Sequence, residues 1–563
     1  MEIIKKSLKR VINIFGESKK KRKVSYGVSA TELRNYFLND PILDWLNLYG
    51  EEKGYQKDKE ENSYSLYWMN RGNEYEDILI DDLKNKNFTF KNVKEDYPKF
   101  CHDGFEDTLD YMREGIEIIY QGFLLDEEKE IYGIPDLLIR CDTFHKLFNF
   151  DVPIIYPTNK DFSWTYFVVD IKCSTIKLNN DNKISNQLGK KVFKSQIYIY
   201  NSILEKLFFN NSSSQPFGFL LARRVVKNNV VQDNNICAIN FDEENIRDEV
   251  EQALSWIKEV REKGMNWDID NPTRNELKPN MKNKRDYPWS NAKQIIANKQ
   301  KELTRIWHVS SKIRDNCKEN DFPNHFTCDK KKLIISKMFK SDSDEEIEND
   351  YDTVDLSSIL KKDTLNFYVD FEYINGSDLS FDKYPRTHLY LIGVGYFDNN
   401  WKYKSFFPNQ INDRDEKTVL HKWIQFMNET TKKLNYNKYQ IIHWSKAEPS
   451  LYKRLKELFL LRTKLDWIDL QPILKKSCIV FDNMKNYSLK NVAKTMKNMG
   501  FIETNWEDNV VDGLGANMII IKGIKNQIGD INGFDDIIKY NEVDCKVMYE
   551  IIKFLSSFTK KNL

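Results

Sequence analysis

Long apolar runs are missing from this sequence, and no segment approaches the length of about 18 apolar residues that a bilayer-spanning helix needs. The first residues also lack an apolar stretch followed by small residues, which is the pattern of a secretory leader. We therefore expect a protein that is not secreted, has no membrane partner and lies inside the cell, in the cytoplasm or the nucleus.

Cysteine pairs are missing as well. The eight cysteines are scattered along the chain, and none of them forms a Cys-x-x-Cys pair. Disulfide scaffolds, zinc ribbons and cysteine-ligated iron-sulfur clusters depend on close or regular cysteine spacing. The sequence therefore predicts reduced thiols and no iron-sulfur cluster.

The chain has no excess of charge of one sign. Lys and Arg total 86 and Asp and Glu total 85, so the formal net charge is +1 and a nucleic-acid partner must be met by a local basic patch. A G-x-x-x-x-G-K-[ST] phosphate loop is also absent, which excludes a P-loop motor in this chain. What is present is a hydrophobic content of 40% spread over 563 residues, enough for several compact domains.

Composition and hydrophobic pattern divide the chain into segments of the α/β class. Apolar runs such as Ile134–Ile139 and Leu365–Val369 alternate with helix-like patterns, which favours buried strands of mixed sheets. The predicted segments are a basic tail (1–28), a first domain (29–265), a helical connecting region (266–340), an acidic linker (341–362) and a second domain (363–563). The tail segment Ser18–Val24 fits an import signal, a phosphate-contacting arm or a solvated tail.

The first candidate site combines residues from two neighbouring apolar runs. Asp136 lies within the run Ile134–Ile139, and Asp170 and Lys172 lie at the end of the next run. Alternate side chains of a strand share a face, so Asp170 and Lys172 point the same way. Two carboxylates can hold a hard cation beside a scissile phosphate, and a lysine can stabilise the charge that develops there. The alternative interpretation is that these are surface acids at strand ends.

Two helix-like segments can add to this site. Glu76 lies in the upstream one, where Glu74 and Asp77 compete for the same role, and Gln196 and Tyr200 share one helical face downstream. In this order the residues resemble the PD-(D/E)XK nuclease superfamily, and within it the RecB-like nucleases. The resemblance implies a restriction-endonuclease-like mixed sheet flanked by helices, with Glu76, Asp136 and Asp170 as metal ligands, Lys172 as the catalytic lysine and Gln196 and Tyr200 as an accessory pair.

The second candidate site combines a strand with a helix near the C-terminus. Asp370 and Glu372 lie two residues apart on one face of an apolar strand, where they repel each other unless a divalent cation neutralises them. Tyr540 and Asp544 lie one helical turn apart, an arrangement that can hold a water and a metal together. The alternative interpretation is an acidic strand end and an ordinary amphipathic helix.

These residues resemble the RNase H-like DEDD exonucleases of the DnaQ-like group, in the branch that has Tyr in the last motif. The resemblance implies an RNase H-like mixed sheet with helices, in which Asp370, Glu372 and Asp544 bind metals and Tyr540 orients the attacking water. Glu448 stands where the middle motif of the family usually has Asp. A longer carboxylate can still be a ligand, so Glu448 is retained among the candidate catalytic residues.

The order of the two domains is similar to that of RecB-family nucleases found alone or beside superfamily 1 helicases. This resemblance implies a Mg²⁺- or Mn²⁺-dependent nuclease that hydrolyses DNA, with RNA as a further candidate substrate. Its expected mode is that of an exonuclease on ends or single strands, in DNA repair, recombination or processing. The alternative is a catalytically degenerate scaffold that binds nucleic acid and docks to a helicase, which Glu448 makes more credible for the second domain.

A groove for a single strand needs basic residues, and two stretches of the sequence could supply them. The alternative for both is ordinary solvated surface. The first stretch contains Lys190, Lys191 and Lys194, and the second contains Lys282, Lys284 and Arg285.

Overall fold

The protein is described from a computed structural model. The described residues are 27–59, 63–148, 150, 152–186, 188–209, 216–228, 230–232, 234–305, 309–315, 349, 351–376, 386–481, 484–506 and 513–559. The predicted basic tail up to residue 26 and positions 341–348 and 350 of the predicted acidic linker lie outside these residues. The chain divides into two compact units, of which the first comprises residues up to Lys53 with Gly72–Trp267 and the second Gly54–Arg71 with Asp268–Leu563.

The first unit is built on a mixed sheet. Its strands are β1 (Val28–Ser29), β2 (Phe90–Asn92), β3 (Ile118–Tyr120), β4 (Leu124–Asp126), β5 (Ile131–Gly133), β6 (Leu137–Arg140), β7 (Tyr166–Leu178), β8 (Phe217–Lys227), β9 (Val230–Val231) and β10 (Ile236–Asn240). The main sheet has the order β10-β8-β7-β6-β3-β2, with β9 paired to β8, and a small sheet has the order β1-β5-β4. The apolar runs that include Ile134–Ile139 and Tyr166–Ile171 therefore contribute the central strands β6 and β7, as predicted.

Helices surround this sheet. They are α1 (Arg34–Phe37), α2 (Ile42–Tyr49), α3 (Ser63–Lys84, which belongs to this unit from Gly72 onward), α4 (Val93–Asp96), α5 (His102–Arg113), α6 (Cys141–Phe148), α7 (Leu188–Phe208) and α8 (Arg247–Lys263). Strands β6 and β7 are antiparallel, whereas β7 and β8 are parallel. The long crossover α7 makes the parallel β7–β8 pairing possible, because parallel strands need a connection of this length.

The second unit contains a five-stranded mixed sheet. Its strands are β11 (Thr364–Asn375), β12 (Thr387–Asp398), β13 (Asn400–Phe406), β14 (Lys438–His443) and β15 (Trp467–Asp469), in the order β13-β12-β11-β14-β15. Its helices are α9 (Ser290–Lys299), α10 (Ser311–Asp315), α11 (Asp413–Lys433), α12 (Ala447–Leu458), α13 (Leu470–Lys476), α14 (Leu489–Asn498), α15 (Gly513–Gly523) and α16 (Phe534–Thr559). Strand β11 pairs antiparallel with β12 and parallel with β14, so it lies at the centre.

The two faces of this sheet bury different helices. Phe367, Val369 and Phe371 of β11 share a hydrophobic core with α11 and α12. Tyr368 lies on the opposite face, in a core that includes residues of α14 and α16. Because successive side chains alternate, Asp370 and Glu372 lie on the same face as Tyr368, toward α14 and α16.

The observed boundaries of the second unit differ from the predicted segments. Val354, Leu356 and Ile359 are buried in its core, so this part of the predicted 341–362 linker packs with the domain because it carries three apolar side chains among the polar ones. The predicted connecting region also groups with this unit from Asp268 onward. It packs with residues 54–71, since the backbone N–H groups of Ser290 and Asn291 both donate to the Asp58 carboxylate.

Mixed sheets flanked by helices confirm the predicted α/β class in both units. Among the described residues, each helix is too short or too polar to cross a bilayer.

Candidate active sites

The first site lies where β6 begins opposite the middle of β7. Leu137 pairs with Val169 in the antiparallel ladder, so the preceding Asp136 lies across from Asp170. Lys172 follows two residues later on the same face, and its Nζ lies 2.5 Å from Oδ2 of Asp170 and 3.8 Å from Oδ2 of Asp136. Asp136 also accepts a hydrogen bond of 2.7 Å from the backbone N–H of Ile171. The structure therefore brings these three predicted residues together.

Burial sets the electrostatics of this trio. Asp170 is only 1% exposed, and this burial raises its pKa to about 7, although the charge of Lys172 acts in the opposite direction. Burial alone would lower the pKa of Lys172, but the charges of Asp170 and Asp136 outweigh it and raise that pKa. A charged lysine therefore offsets part of the negative charge of the two aspartates.

Helix α3 places Glu76 near this trio. Its Oε1 accepts hydrogen bonds from the phenol of Tyr120 at 2.8 Å and from Nε2 of Gln121 at 3.2 Å. Burial and the charge of Asp136 raise the pKa of Glu76. The competing Glu74 and Asp77 are exposed, so Glu76 is the acid of this helix that faces the site.

Gln196 and Tyr200 lie on α7 behind the trio. Nε2 of Gln196 donates to the phenol oxygen of Tyr200 at 2.9 Å. Tyr200 is buried against Gly133, where an added Cβ would come within 2.1 Å of its ring. Burial raises the pKa of Tyr200, and the charge of Asp170 adds to this effect. Tyr200 is thus a buried phenol close to Asp170, which suits a role in holding the site residues in place.

Lys191 and Lys194, which precede Gln196, do not form the predicted groove. Lys194 is buried and its Nζ contacts the backbone oxygen of Ile184 and the side chains of Asn186 and Glu244. Lys191 pairs with both carboxylate oxygens of Glu249, at 2.7 and 2.8 Å. The prediction of a basic strand-binding surface at Lys191 and Lys194 is therefore wrong, because acids distant in sequence neutralise both.

The second site is a compact group of three carboxylates. Asp370 and Glu372 on β11 and Asp544 on α16 each offer an oxygen, and these atoms all lie within 4.8 Å of one another. Asp544 is buried and the other two are half-buried. Among the described residues, the first unit has no such group of three. This spacing matches what one divalent cation needs from oxygen ligands.

The close packing of these acids disfavours their charged forms. Burial raises the pKa of Glu372 to about 8, and the charge of Asp544 adds to this effect. Burial likewise raises the pKa of Asp544 to about 7, against the attraction of Lys490. The pKa of Asp370 is also raised, first by burial and then by the charges of Asp544 and Glu372. A divalent cation would relieve this repulsion, so the residues fit such a ligand.

Asn541 ties the helix to the strand. Its Nδ2 donates to Oδ2 of Asp370 at 2.7 Å, and its Oδ1 accepts from the phenol of Tyr403 at 2.9 Å. Strand β12 leaves room for this amide with Gly393, where an added Cβ would lie 1.5 Å from Oδ1 of Asn541. The Asp370 carboxylate therefore has a fixed orientation.

Tyr540 and Lys490 lie at the edge of the same group. Tyr540 lies beside the Asp544 carboxylate, and burial together with the charges of Asp544, Glu372 and Asp370 raises the pKa of the phenol. The Lys490 ammonium lies 4.7 Å from the centre of the Tyr540 ring. The Lys490 charge lowers the pKa values of both Glu372 and Asp544. Tyr540 is therefore a neutral phenol beside a cation.

Glu448 lies at the edge of the group. It is buried at the start of α12, and its charge raises the pKa values of Asp370, Glu372 and Asp544. Its Oε2 lies 3.6 Å from Nδ1 of the buried His443 and, among the described residues, makes no hydrogen bond. Glu448 thus reaches the site electrostatically but stands outside the compact set of three.

Both sites share a backbone feature. The pairing register shifts directly after Lys172 in the β7–β8 ladder and directly after Glu372 in the β11–β12 ladder. Irregular pairing of this kind is frequent beside active sites, where it re-aims side chains.

A second group of acidic residues in this unit is already paired with an arginine. His388, Asp413 and Glu416 offer atoms within 4.8 Å of one another. The guanidinium of Arg386 lies against both Asp413 and Glu416, and the backbone N–H of Leu389 donates to Glu416 at 2.6 Å. Because a guanidinium already neutralises these acids, the group is an ion-pair network that joins α11 to β12.

Several site residues were missed by the sequence reasoning. Tyr120 ends β3 and Gln121 follows it, and neither belonged to a sequence motif. Asn541 lies inside the Tyr540–Asp544 motif, and its spacing of three residues from Asp544 was the signal that could have placed it on the same helical face. Lys490 is one of many lysines, and only the folded chain sets it apart.

Comparisons with known proteins bear on the second unit. A family model of the RNase H superfamily matches residues 379–556, a range that includes Glu448, Lys490, Tyr540 and Asp544. No curated protein and no solved structure matches the chain. The RecB-like resemblance of residues 29–265 has no support from these comparisons. Residues 379–556 are thus similar to the RNase H superfamily, and this similarity suggests metal-dependent nuclease activity on nucleic acids.

Proposed function

We propose that this protein is a divalent-metal-dependent nuclease that hydrolyses phosphodiester bonds of DNA, and that Mg²⁺ or Mn²⁺ is its cofactor. The expected mode is exonucleolytic, on ends or single strands, in DNA repair, recombination or processing. The observation that carries the proposal is the convergence of Asp370, Glu372 and Asp544, whose oxygens lie within 4.8 Å of one another. The match to the RNase H superfamily supports the same reaction class.

The chemistry follows from this donor set. A bound divalent cation would supply Lewis-acid stabilisation of the charge that develops on the phosphate. Asp370, Glu372 and Asp544 would hold it, since hard cations prefer carboxylate oxygens. Asn541 fixes one of these carboxylates before substrate arrives. Pre-organised ligands avoid reorganisation during the reaction.

The protonation state of Tyr540 limits the part that this residue can take in the reaction. Its pKa is raised by burial and by the neighbouring acids, so the phenol keeps its proton at neutral pH. A neutral phenol beside Asp544 can orient a water molecule but does not remove a proton from it. We assign Tyr540 the positioning of the attacking water and leave proton acceptance to the carboxylates.

The first unit supports a second candidate function. Under the hypothesis that the first unit is a PD-(D/E)XK nuclease, Glu76, Asp136 and Asp170 hold the metal and Lys172 stabilises the phosphate. The observation that favours a binding scaffold instead is the 2.5 Å contact between Lys172 and Asp170, in which an ammonium already pairs with one of the proposed metal ligands. The case for catalysis is therefore stronger in the second unit than in the first. Glu448, in place of the usual Asp, had suggested the opposite.

The test is degradation of end-labelled single- and double-stranded DNA with Mg²⁺ or Mn²⁺. Wild type is compared with Asp370→Ala/Glu372→Ala and with Asp170→Ala/Lys172→Ala. A matched control is Asp535→Ala/Asp536→Ala, which removes two exposed acids from the start of α16. We expect the control to retain activity and the Asp370→Ala/Glu372→Ala variant to lose it.

The other possible outcomes of this degradation assay indicate different functions. Loss of activity only in the Asp170→Ala/Lys172→Ala variant would place catalysis in the first unit. Loss in both site variants would indicate two cooperating sites. Binding of every substrate without cleavage by wild type would overturn the nuclease proposal in favour of a scaffold that docks to a helicase or another DNA-processing partner.

A further inference from the structure

Lys490 places a positive charge beside the carboxylates of the second site. Lys490 is exposed, and its ammonium lies 4.7 Å from the Tyr540 ring centre and 5.8 Å from that of Trp506. It lies in the first turn of α14, where the helix dipole favours anions over cations. A lysine in this position therefore adds to a local positive potential directly beside the carboxylate group.

The positive surface continues along α14. Lys494 is exposed and lies four residues after Lys490, so the two share one helical face at a separation of about one turn. Lys485 is held beside the same helix because Oδ1 of Asn491 accepts hydrogen bonds from the backbone N–H groups of Lys485 and Asn486, at 2.8 and 3.0 Å. Three lysines are thus presented by one helix and the loop that precedes it.

Two further cations come from the region that precedes the RNase H-like domain. Burial lowers the pKa of Lys485, and the charges of Arg305, Lys494 and Lys284 lower it further. Burial lowers the pKa of Arg305, although the charge of Glu302, which is itself buried in an ion pair with Arg314, acts in the opposite direction. Lys284 belongs to the second of the two basic stretches predicted from the sequence. Like charges gathered in this way repel one another unless an anion joins them.

We propose that Lys284, Arg305, Lys485, Lys490 and Lys494 form a basic track that binds the phosphates of a single nucleic-acid strand and leads it to the Asp370–Glu372–Asp544 group. The proposal rests on the nuclease function proposed above and adds to it the path of the substrate. Lys490 would contact the phosphate nearest the reacting bond, and the other four would hold the strand beyond it. The Trp506 ring beside Lys490 offers a surface on which a base can stack, which is typical of single-strand binding.

The test is photo-crosslinking of the full chain to a single-stranded oligodeoxynucleotide that carries 5-iodouracil, in EDTA so that no cleavage occurs. Crosslinked peptides are mapped by mass spectrometry. We expect wild type to crosslink within residues 485–506. The double variant Lys485→Gln/Lys494→Gln should reduce the yield of this crosslink roughly tenfold and weaken its salt dependence, as expected for lost phosphate contacts.

The control removes the same charge from the opposite face of the sheet. Lys417→Gln/Lys422→Gln changes two exposed lysines of α11 and should leave the crosslink in residues 485–506 unchanged. Thermal unfolding of all variants checks that they fold. Absence of the crosslink in wild type, or equal yields in the two double variants, would overturn the track.

A second measurement separates this inference from the proposed function. If wild type crosslinks within residues 485–506 but cleaves no substrate with Mg²⁺ or Mn²⁺, the track stands and the nuclease proposal fails. If wild type cleaves DNA through the second site but the crosslinks map elsewhere, the nuclease stands and the track fails. Lys490→Gln adds a finer check, because it should reduce cleavage while Mg²⁺ still raises the melting temperature.

Discussion

The side-chain amide of Asn541 donates a hydrogen bond to Oδ2 of Asp370 at 2.7 Å, and this contact joins helix α16 to the central strand of the RNase H-like domain. The same amide lowers the pKa of Glu372. Tyr403 fixes the other end of the amide from β13. Three elements of the fold therefore control the orientation of the Asp370 carboxylate, although Asn541 itself is no predicted ligand.

Replacement of Asn541 by alanine should weaken metal binding at this site. Groups that orient metal ligands typically contribute roughly 10- to 100-fold to metal affinity or activity. We expect Asn541→Ala to lose most of the Mg²⁺-dependent rise in melting temperature and to cleave DNA about 10- to 100-fold more slowly. A matched control is Asn498→Ala, which changes an exposed asparagine at the end of α14. Unchanged metal stabilisation in Asn541→Ala would mean that Asp370 needs no such positioning.

Two glycines of β12 offer a sharper comparison. A Cβ at Gly393 would lie 1.5 Å from Oδ1 of Asn541, whereas a Cβ at Gly395 would lie 2.1 Å from the Trp401 ring. Both Gly→Ala variants overpack the same strand, at a cost of about 1–3 kcal/mol or more in the free energy of unfolding. Only Gly393→Ala should also abolish Mg²⁺-dependent stabilisation, because it displaces the amide. Equal metal responses in the two variants, measured by thermal unfolding, would contradict this.

The local parts of both sites could be predicted from the sequence. The two-residue alternation of a strand is a local property, so it placed Asp170 with Lys172 and Asp370 with Glu372 correctly on shared faces. Helical spacing likewise placed Gln196 with Tyr200, which are hydrogen-bonded, and Tyr540 with Asp544, whose charge raises the pKa of the Tyr540 phenol. The roles of these residues in catalysis stay predictions.

The remaining features depend on contacts between residues distant in sequence. Lys191 and Lys194 were indistinguishable from groove residues until the fold placed Glu249 and Glu244 against them, 58 and 50 positions later. Asn541 meets Asp370 across 171 positions, through a gap that Gly393 leaves open. The burial that raises the carboxylate pKa values is also a tertiary property. Sequence spacing carries none of this information.

Lys172 should be needed for stability because of its buried partner. Lys172→Met leaves the buried Asp170 carboxylate without its ammonium, at an expected cost of about 2–4 kcal/mol in the free energy of unfolding. The double variant Asp170→Asn/Lys172→Met removes the unpaired charge and should recover part of this loss. Chemical denaturation of the wild type, both single variants and the double variant gives the coupling energy. A double variant no more stable than the sum of the single effects would show that the pair contributes nothing to stability.

The carboxylates of the second site should make metal binding strongly dependent on pH. Glu372 and Asp544 have ordinary values of 4.5 and 3.8, and the fold raises the pKa values to about 8 and about 7. The folded protein without metal thus retains protons that the unfolded chain releases, so its free energy of unfolding falls as pH rises through this range. Mg²⁺ competes with these protons and should raise the melting temperature little at pH 5.5 and increasingly toward pH 8.5. The difference between wild type and Asp370→Ala/Glu372→Ala isolates this site, and an equal Mg²⁺ effect at both pH values would show that the three acids do not bind the metal.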